Sequence, residues 1–243
     1  MEIKRVLPIA VAPQPLPFHS QIFVSWRVMG RATMYGYSEQ RLLLLRSTSS
    51  KAMWPMCGRP QSMYGAVEDR VLFNFITDQG LKPQQIINTH AHIDHIMGIE
   101  SLKVKYSIPF GMHTLEQPVL ANAKGSAMLF GFTFGSVPVP DFFIAENTKV
   151  KLGDDELEVR LAPGHSPGSI VFYNAAGKWL IGGDVLFNGS VGRSDLPGGN
   201  HDVLMNSISE QIYTLPDETT VYSGHGPATT VGKEKQTNPY VRG

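Results

Sequence analysis

The sequence predicts an α/β protein, because strand-like and helix-like segments alternate along the chain from about residue 66 onward. Four side chains that can bind metal follow one of the predicted strands within six residues. Three more follow later strands, each in a glycine-rich turn. Together these observations predict a layered fold that carries a metal site at the ends of its strands.

The chain of 243 residues is long enough for one substantial core, so we expect a single domain over residues 1–243. Residues 11–65 are atypical, because proline, serine, arginine and methionine are scattered there without a sustained period. A strand at Gln21–Trp26 is the one element predicted in this region.

Composition excludes several functional classes. The 21 basic and 21 acidic residues cancel, which disfavours nucleic acid as a partner. No apolar stretch approaches the roughly 20 residues needed to cross a bilayer, since Leu42–Leu45 is flanked by arginines. A single cysteine, Cys57, indicates no disulfide framework. We therefore expect a soluble, cytoplasmic protein without a membrane partner, whose oligomeric state the sequence leaves open.

The predicted elements begin with an amphipathic helix at Val67–Asp78, where apolar residues recur on one face until Gly80 and Pro83. A short buried strand at Gln85–Thr89 and a helix at Asp94–Tyr106 follow. A later helix is predicted at Asp202–Tyr213. The remaining predicted strands are Ile108–Met112, Leu157–Leu161, Ile170–Tyr173, Trp179–Ile181 and Val221–Ser223.

The dense group of metal-capable residues lies on the loop between the strand and the helix. It consists of His90, His92, Asp94 and His95. Imidazole and carboxylate together suit zinc, iron or manganese, whereas calcium or magnesium favours oxygen ligands alone. Zinc is the default expectation. The three later candidates are His165, Asp184 and His225, while isolated His19 and His201 are expected to be ordinary histidines.

These motifs together resemble the metallo-β-lactamase superfamily. The matching segments are Thr89-His90-Ala91-His92-Ile93-Asp94-His95, Gly164-His165-Ser166-Pro167-Gly168, Gly182-Gly183-Asp184 and Gly224-His225-Gly226-Pro227. The resemblance implies an αββα four-layer sandwich, with two mixed sheets packed face to face and helices outside. The stretches 183–187 and 192–199 are similar to the short, glyoxalase II-like hydroxyacylglutathione hydrolases.

The resemblance also implies a role for each candidate residue. One metal ion would be held by His90, His92 and His165, the second by Asp94, His95 and His225, and Asp184 would bridge the two. Asp94 and Asp184 would act in catalysis, with a metal-bridging hydroxide attacking a small-molecule thioester. Many true β-lactamases carry a cysteine where this chain has Asp184, which argues against antibiotic hydrolysis.

The substrate implied by this branch is a thioester, with a glutathione conjugate as one candidate. Arg193 matches a basic position that contacts the glutathione carboxylate, and a guanidinium suits that geometry. An ion pair between Arg193 and Asp195 is the alternative role.

Two other functional readings stay open at the level of sequence. Persulfide dioxygenases share the fold but use one iron, for which the matching residues are His90, His165 and Asp184. The other alternative is a homologue without catalytic activity, which either binds metal only for stability or is prone to misfold. Misfolding is considered because residues 11–65 lack the Asp-Pro-Gly turn that usually joins two early strands in the family. A frameshifted or otherwise altered coding stretch would explain why this turn is missing.

Overall fold

A computed structural model describes residues 39–47, 54–58, 72–74, 76–78, 81–131, 135–152 and 155–243. The strand predicted at Gln21–Trp26 lies outside these residues. Of the helix predicted at Val67–Asp78, residues 72–74 and 76–78 are described, and they are helical.

The first sheet has five strands in the order β2-β1-β3-β4-β5. Its strands are β1 (Glu39–Ser47), β2 (Trp54–Gly58), β3 (Pro83–Ile87), β4 (Phe110–Met112) and β5 (Phe142–Phe143). β1 runs antiparallel to both of its neighbours, whereas β3, β4 and β5 are parallel. β1 and β2 correct the sequence analysis, which assigned neither. The leucine run of β1 does not alternate with polar residues, so it lacks the period-2 signal of a half-buried strand.

The second sheet has six strands in the order β13-β12-β9-β8-β7-β6. They are β6 (Lys149–Leu152), β7 (Asp155–Leu161), β8 (Ile170–Asn174), β9 (Trp179–Gly183), β12 (Thr220–Ser223) and β13 (Thr229–Thr230). Only β9 and β12 pair in parallel, so this sheet is also mixed. β10 (Leu186–Phe187) and β11 (Ser190–Val191) form a separate ribbon.

Short helices connect the strands. They are α1 (Ile93–Ile96), α2 (Ile99–Tyr106), α3 (Gln117–Ala121), α4 (Ala123–Leu129), α5 (His201–Ser207) and α6 (Val231–Thr237). The helix predicted at Asp94–Tyr106 is therefore interrupted at Met97 and Gly98. A π-helical turn, Ile208–Ile212, extends α5. Within the described residues, no helix combines the length and the apolar character needed to span a bilayer.

Three apolar clusters separate the layers of the fold. Ile86 packs with residues of α1 and α2, whereas the next residue, Ile87, packs with strands of the second sheet. In β8, Val171 faces the cluster that contains α5, while Phe172 lies between the sheets. Successive side chains of a strand point to opposite faces, so both sheets are covered on both sides. This arrangement is the αββα sandwich that the resemblance implied.

Candidate metal centre

The seven predicted ligand residues come together at one end of the sandwich. His90 and His92 follow β3, and Asp94 and His95 lie in α1. His165, Asp184 and His225 follow β7, β9 and β12, whose carboxyl ends share one edge because these strands run in the same direction. A hydrogen bond from the Ile170 amide to the Thr89 carbonyl (2.9 Å) joins the two sheets at this edge.

Three histidines form the first group. His165 Nε2 lies 2.8 Å from His92 Nδ1 and 3.2 Å from His90 Nε2. His90 and His165 are buried, and His92 is half-buried. Three imidazole nitrogens therefore converge on one small volume, as the ligands of a transition metal do. We refer to this set as the three-histidine group.

A second group contains a carboxylate and two imidazoles. Asp94 Oδ2 lies 3.3 Å from His95 Nε2 and 3.2 Å from His225 Nε2. The His95 side chain is fully buried, whereas those of Asp94 and His225 are 26% and 23% exposed. This Asp94 group can also hold a metal ion, and it forms the side of the centre that faces solvent.

Asp184 lies between the two groups. Its Oδ1 is 3.4 Å from His95 Nε2, and its Oδ2 is 3.1 Å from His225 Nε2 and 3.6 Å from His165 Nε2. Both oxygens of Asp184 therefore face the Asp94 group, and Oδ2 also faces His165 of the three-histidine group, which is the placement expected of a bridging ligand. Gly224 permits this approach, since a Cβ there would stand 2.1 Å from Asp184 Oδ1.

Comparison with known proteins agrees with this geometry. The family described as "Metallo-beta-lactamase superfamily" matches residues 67–225. The chain belongs to this superfamily. It is a metal-dependent hydrolase with the metallo-β-lactamase fold, which binds divalent metal ions at such sites.

The similar proteins include metallo-hydrolases and a protein of known structure. A "Probable metallo-hydrolase YqgX" of Bacillus subtilis is 42% identical over 72% of this chain and 84% of its own. "Hydroxyacylglutathione hydrolase GloC" of Haemophilus influenzae is 32% identical over 70% of this chain and 81% of its own. The crystal structure of TTHA1623 in a di-iron-bound form superposes with a TM-score of 0.69 at 34% identity, over 82% of this chain and 94% of that one.

The polar atoms of this metallo-β-lactamase site fit a bound metal. His95 Nε2 and Asp184 Oδ1 are buried and form no hydrogen bond. In the three-histidine group, imidazole nitrogens face one another, and a neutral imidazole has a single N–H to donate. Buried polar atoms without partners are costly, and metal coordination would satisfy them.

Proton affinities differ between the two groups. Burial, together with the nearby His165, lowers the pKa of His92 to about 4, and burial and His95 hold the pKa of His90 well below its usual value. Burial also acts to lower the pKa of His95, but the Asp94 and Asp184 carboxylates raise it to about 10.

The pKa of His225 follows the same balance. Burial acts to lower it, while hydrogen bonds to Asp184 and Asp94 raise it to about 9. In both carboxyl groups burial favours the neutral acid, yet the neighbouring His95 holds the pKa of Asp94 and of Asp184 well below the usual range. The carboxylates thus attract positive charge to the Asp94 group, whether it arrives as protons or as metal.

Residues outside the ligand set hold these side chains in place. His165 Nδ1 donates to the Arg193 carbonyl (2.7 Å), which leaves Nε2 directed at the centre. Asn88, which the sequence analysis missed, donates to the His90 carbonyl (2.7 Å) and accepts from the Thr89 amide (3.0 Å). Glu116 was also missed, because its partners lie 25 to 52 residues away in sequence.

In the structure, Arg193 forms the ion pair with Asp195 that the sequence offered as its alternative role. Its guanidinium forms two hydrogen bonds to Asp195, at 2.7 and 2.8 Å, and both side chains are more than half exposed. His201 is exposed at the start of α5 and belongs to none of the three-residue groups that could hold a metal ion. His19 lies outside the described residues.

Proposed function

We propose that this chain is a two-metal thioester hydrolase of the hydroxyacylglutathione type, and that zinc is its metal. One ion would be held by the three-histidine group and the other by the Asp94 group, with Asp184 as a ligand shared by both. The observation that carries the proposal is the presence of two complete three-residue groups with Asp184 close to both, 3.1 Å from His225 and 3.6 Å from His165. We further propose that residues 1–243 form one domain and that the protein is cytoplasmic.

Bound divalent ions supply a hydroxide at neutral pH and polarise the carbonyl of the substrate. The chain's own residues fix where that chemistry happens. Asp94 and His225 of the Asp94 group and His92 of the three-histidine group are the partly exposed members of the centre, so a thioester can approach over these side chains. Asp94 is a carboxylate at neutral pH and can accept a hydrogen bond that orients the attacking group. No side-chain nucleophile is required.

The substrate class rests on the relatives and on one basic side chain. GloC is named as a hydroxyacylglutathione hydrolase, and this chain spans most of its length. Arg193 can bind a substrate carboxylate through its planar fork, provided that Asp195 yields its two hydrogen bonds. Since both side chains are more than half exposed, water can replace the broken hydrogen bonds and little stability is lost.

A single-iron persulfide dioxygenase is the second candidate. His165 Nε2 lies 3.2 Å from His90 Nε2 and 3.6 Å from Asp184 Oδ2, so the three residues matching that class are also together. The completeness of the Asp94 group favours the hydrolase, because a mononuclear enzyme would leave that group without a metal.

The experiment is metal quantification on the purified protein, followed by assays on an S-acyl glutathione, a lactone, a β-lactam and glutathione persulfide with oxygen uptake recorded. Two equivalents of zinc with turnover of the thioester support the proposal. One equivalent of iron with oxygen consumption would replace it by the dioxygenase. Metal binding without turnover of any substrate would indicate a homologue that keeps metal for stability alone.

A further inference from the structure

Glu116 is a buried carboxylate that none of the steps above uses. It ends the 3₁₀ turn Thr114–Glu116, which follows β4, and its side chain is fully buried. Oε2 accepts a hydrogen bond from the Ala91 amide (2.7 Å). Oε1 accepts from the Gly168 amide (2.6 Å) and from the Ser166 hydroxyl (2.7 Å). All three partners are donors, which matches a carboxylate that offers acceptors only.

These donors lie beside the three-histidine group. Ala91 stands between His90 and His92 in sequence, and Ser166 directly follows His165. Glu116 therefore connects the loop after β3, in the first sheet, to the loop after β7, in the second sheet. The hydrogen bonds join the two segments that must approach each other if the three imidazoles are to converge.

The contact is also sterically close. A Cβ at Gly168 would stand 2.9 Å from the Glu116 amide nitrogen and 3.0 Å from its Cγ. Because both of these atoms are tightly enclosed, a side chain at position 168 would force the two loops apart. The close approach at residue 168 thus depends on glycine.

We propose that Glu116 is a positioning residue that holds both loops in register, so that His90, His92 and His165 bind one metal ion. The inference rests on the proposed two-metal site. In the part of the chain that the structure describes, the hydrogen-bond partners of the Glu116 side chain are Ala91, Ser166 and Gly168, and none of them belongs to the Asp94 group. Its removal should therefore weaken metal binding at the three-histidine group selectively.

The test variant is Glu116→Gln. The glutamine oxygen can still accept from Gly168 and Ser166, but its amino group faces the Ala91 amide, so two donors oppose each other. Glu234→Gln is the matched control, because Glu234 is equally buried and also accepts from three donors. Those donors are the Gly189 amide (3.0 Å), the Asn238 side chain (2.8 Å) and the Thr229 hydroxyl, all outside the ligand set.

Chelator competition measures how many zinc ions each chain binds and the dissociation constant of each ion. Thermal stability is measured in parallel. We expect Glu116→Gln to retain one zinc and to bind the other about 10- to 100-fold more weakly, the range seen when supporting partners of metal ligands are removed. Glu234→Gln should keep both ions even where its stability falls. In a His225→Ala background, which removes a ligand of the Asp94 group, adding Glu116→Gln should weaken zinc binding by about the same 10- to 100-fold relative to His225→Ala alone.

Wild-type affinity at both sites in Glu116→Gln would overturn the inference, as would equal metal loss in Glu116→Gln and Glu234→Gln. If Glu116→Gln does not fold, Gly168→Ala takes its place and should show the same selective loss. The underlying two-metal proposal fails separately if His92→Ala binds as much zinc as the wild type.

Discussion

The affinity of the Asp94 group for zinc should depend more steeply on pH than that of the three-histidine group. His95 and His225 have pKa values of about 10 and 9, so both carry a proton at pH 7 in the metal-free protein. His92, with a pKa of about 4, and His90, whose pKa is also lowered, are neutral there. Zinc binds neutral imidazole, so it must displace two protons from the Asp94 group and none from His90 and His92.

The size of the pH effect on zinc affinity follows from the number of protons that zinc displaces. A raised pKa favours the protonated form, so metal binding weakens as pH falls below it. With two displaced protons, the apparent zinc affinity of the Asp94 group should rise about 100-fold for each pH unit between pH 6 and 8. His90 and His92 should add almost nothing to the corresponding slope of the three-histidine group over the same interval, since both remain neutral.

The assay isolates each group with one substitution. His92→Ala leaves the Asp94 group complete, and His225→Ala leaves the three-histidine group complete. Each metal-stripped variant is dialysed against buffered free zinc at pH 6, 7 and 8, and the bound zinc is measured. A steep increase with pH in His92→Ala and a clearly shallower one in His225→Ala are expected. Equal slopes in the two variants would refute the assignment of protons to His95 and His225.

Three further predictions concern the site and its support. Asp184→Ala should prevent simultaneous binding of two metals and lower kcat/KM for the thioester on the order of 1,000-fold; a fully active, metal-loaded variant would contradict the bridging role. Arg193→Ala should raise KM about 10-fold while Asp195→Ala lowers it, whereas an unchanged KM in both would leave only the ion pair. Phe172→Ala should reduce the free energy of unfolding by about 3–5 kcal/mol in denaturant titrations, because Phe172 is fully buried between the sheets; half-exposed Phe143→Ala is the control, and an equal loss there would contradict the packing argument.

Much of the fold was predictable because its signals are local. β8, β9 and β12 were each predicted to within about two residues of their observed ends, since short apolar runs bounded by turns mark buried strands. β1 and β2 were not predicted. β1 pairs with β3 across more than 30 intervening residues, and such long-range pairing has no local signature.

The metal site, too, was partly predictable from local sequence signals and partly dependent on contacts between distant residues. The sequence by itself identified the seven metal-capable residues, because histidine and aspartate are common metal ligands and glycine-rich turns mark where the backbone can approach closely. It also determined the superfamily, through motifs that keep their order along the chain. Spacing alone, however, assigns no distance between residues that are 130 positions apart.

Only the tertiary structure decided how these residues meet. It placed Asp184 between the two groups, raised the pKa of His95 and lowered that of His92, and paired Arg193 with Asp195. It also brought Glu116 against Ala91 and Gly168. Each of these facts depends on burial and on contacts between distant segments, and such contacts exist only once the two sheets have packed together.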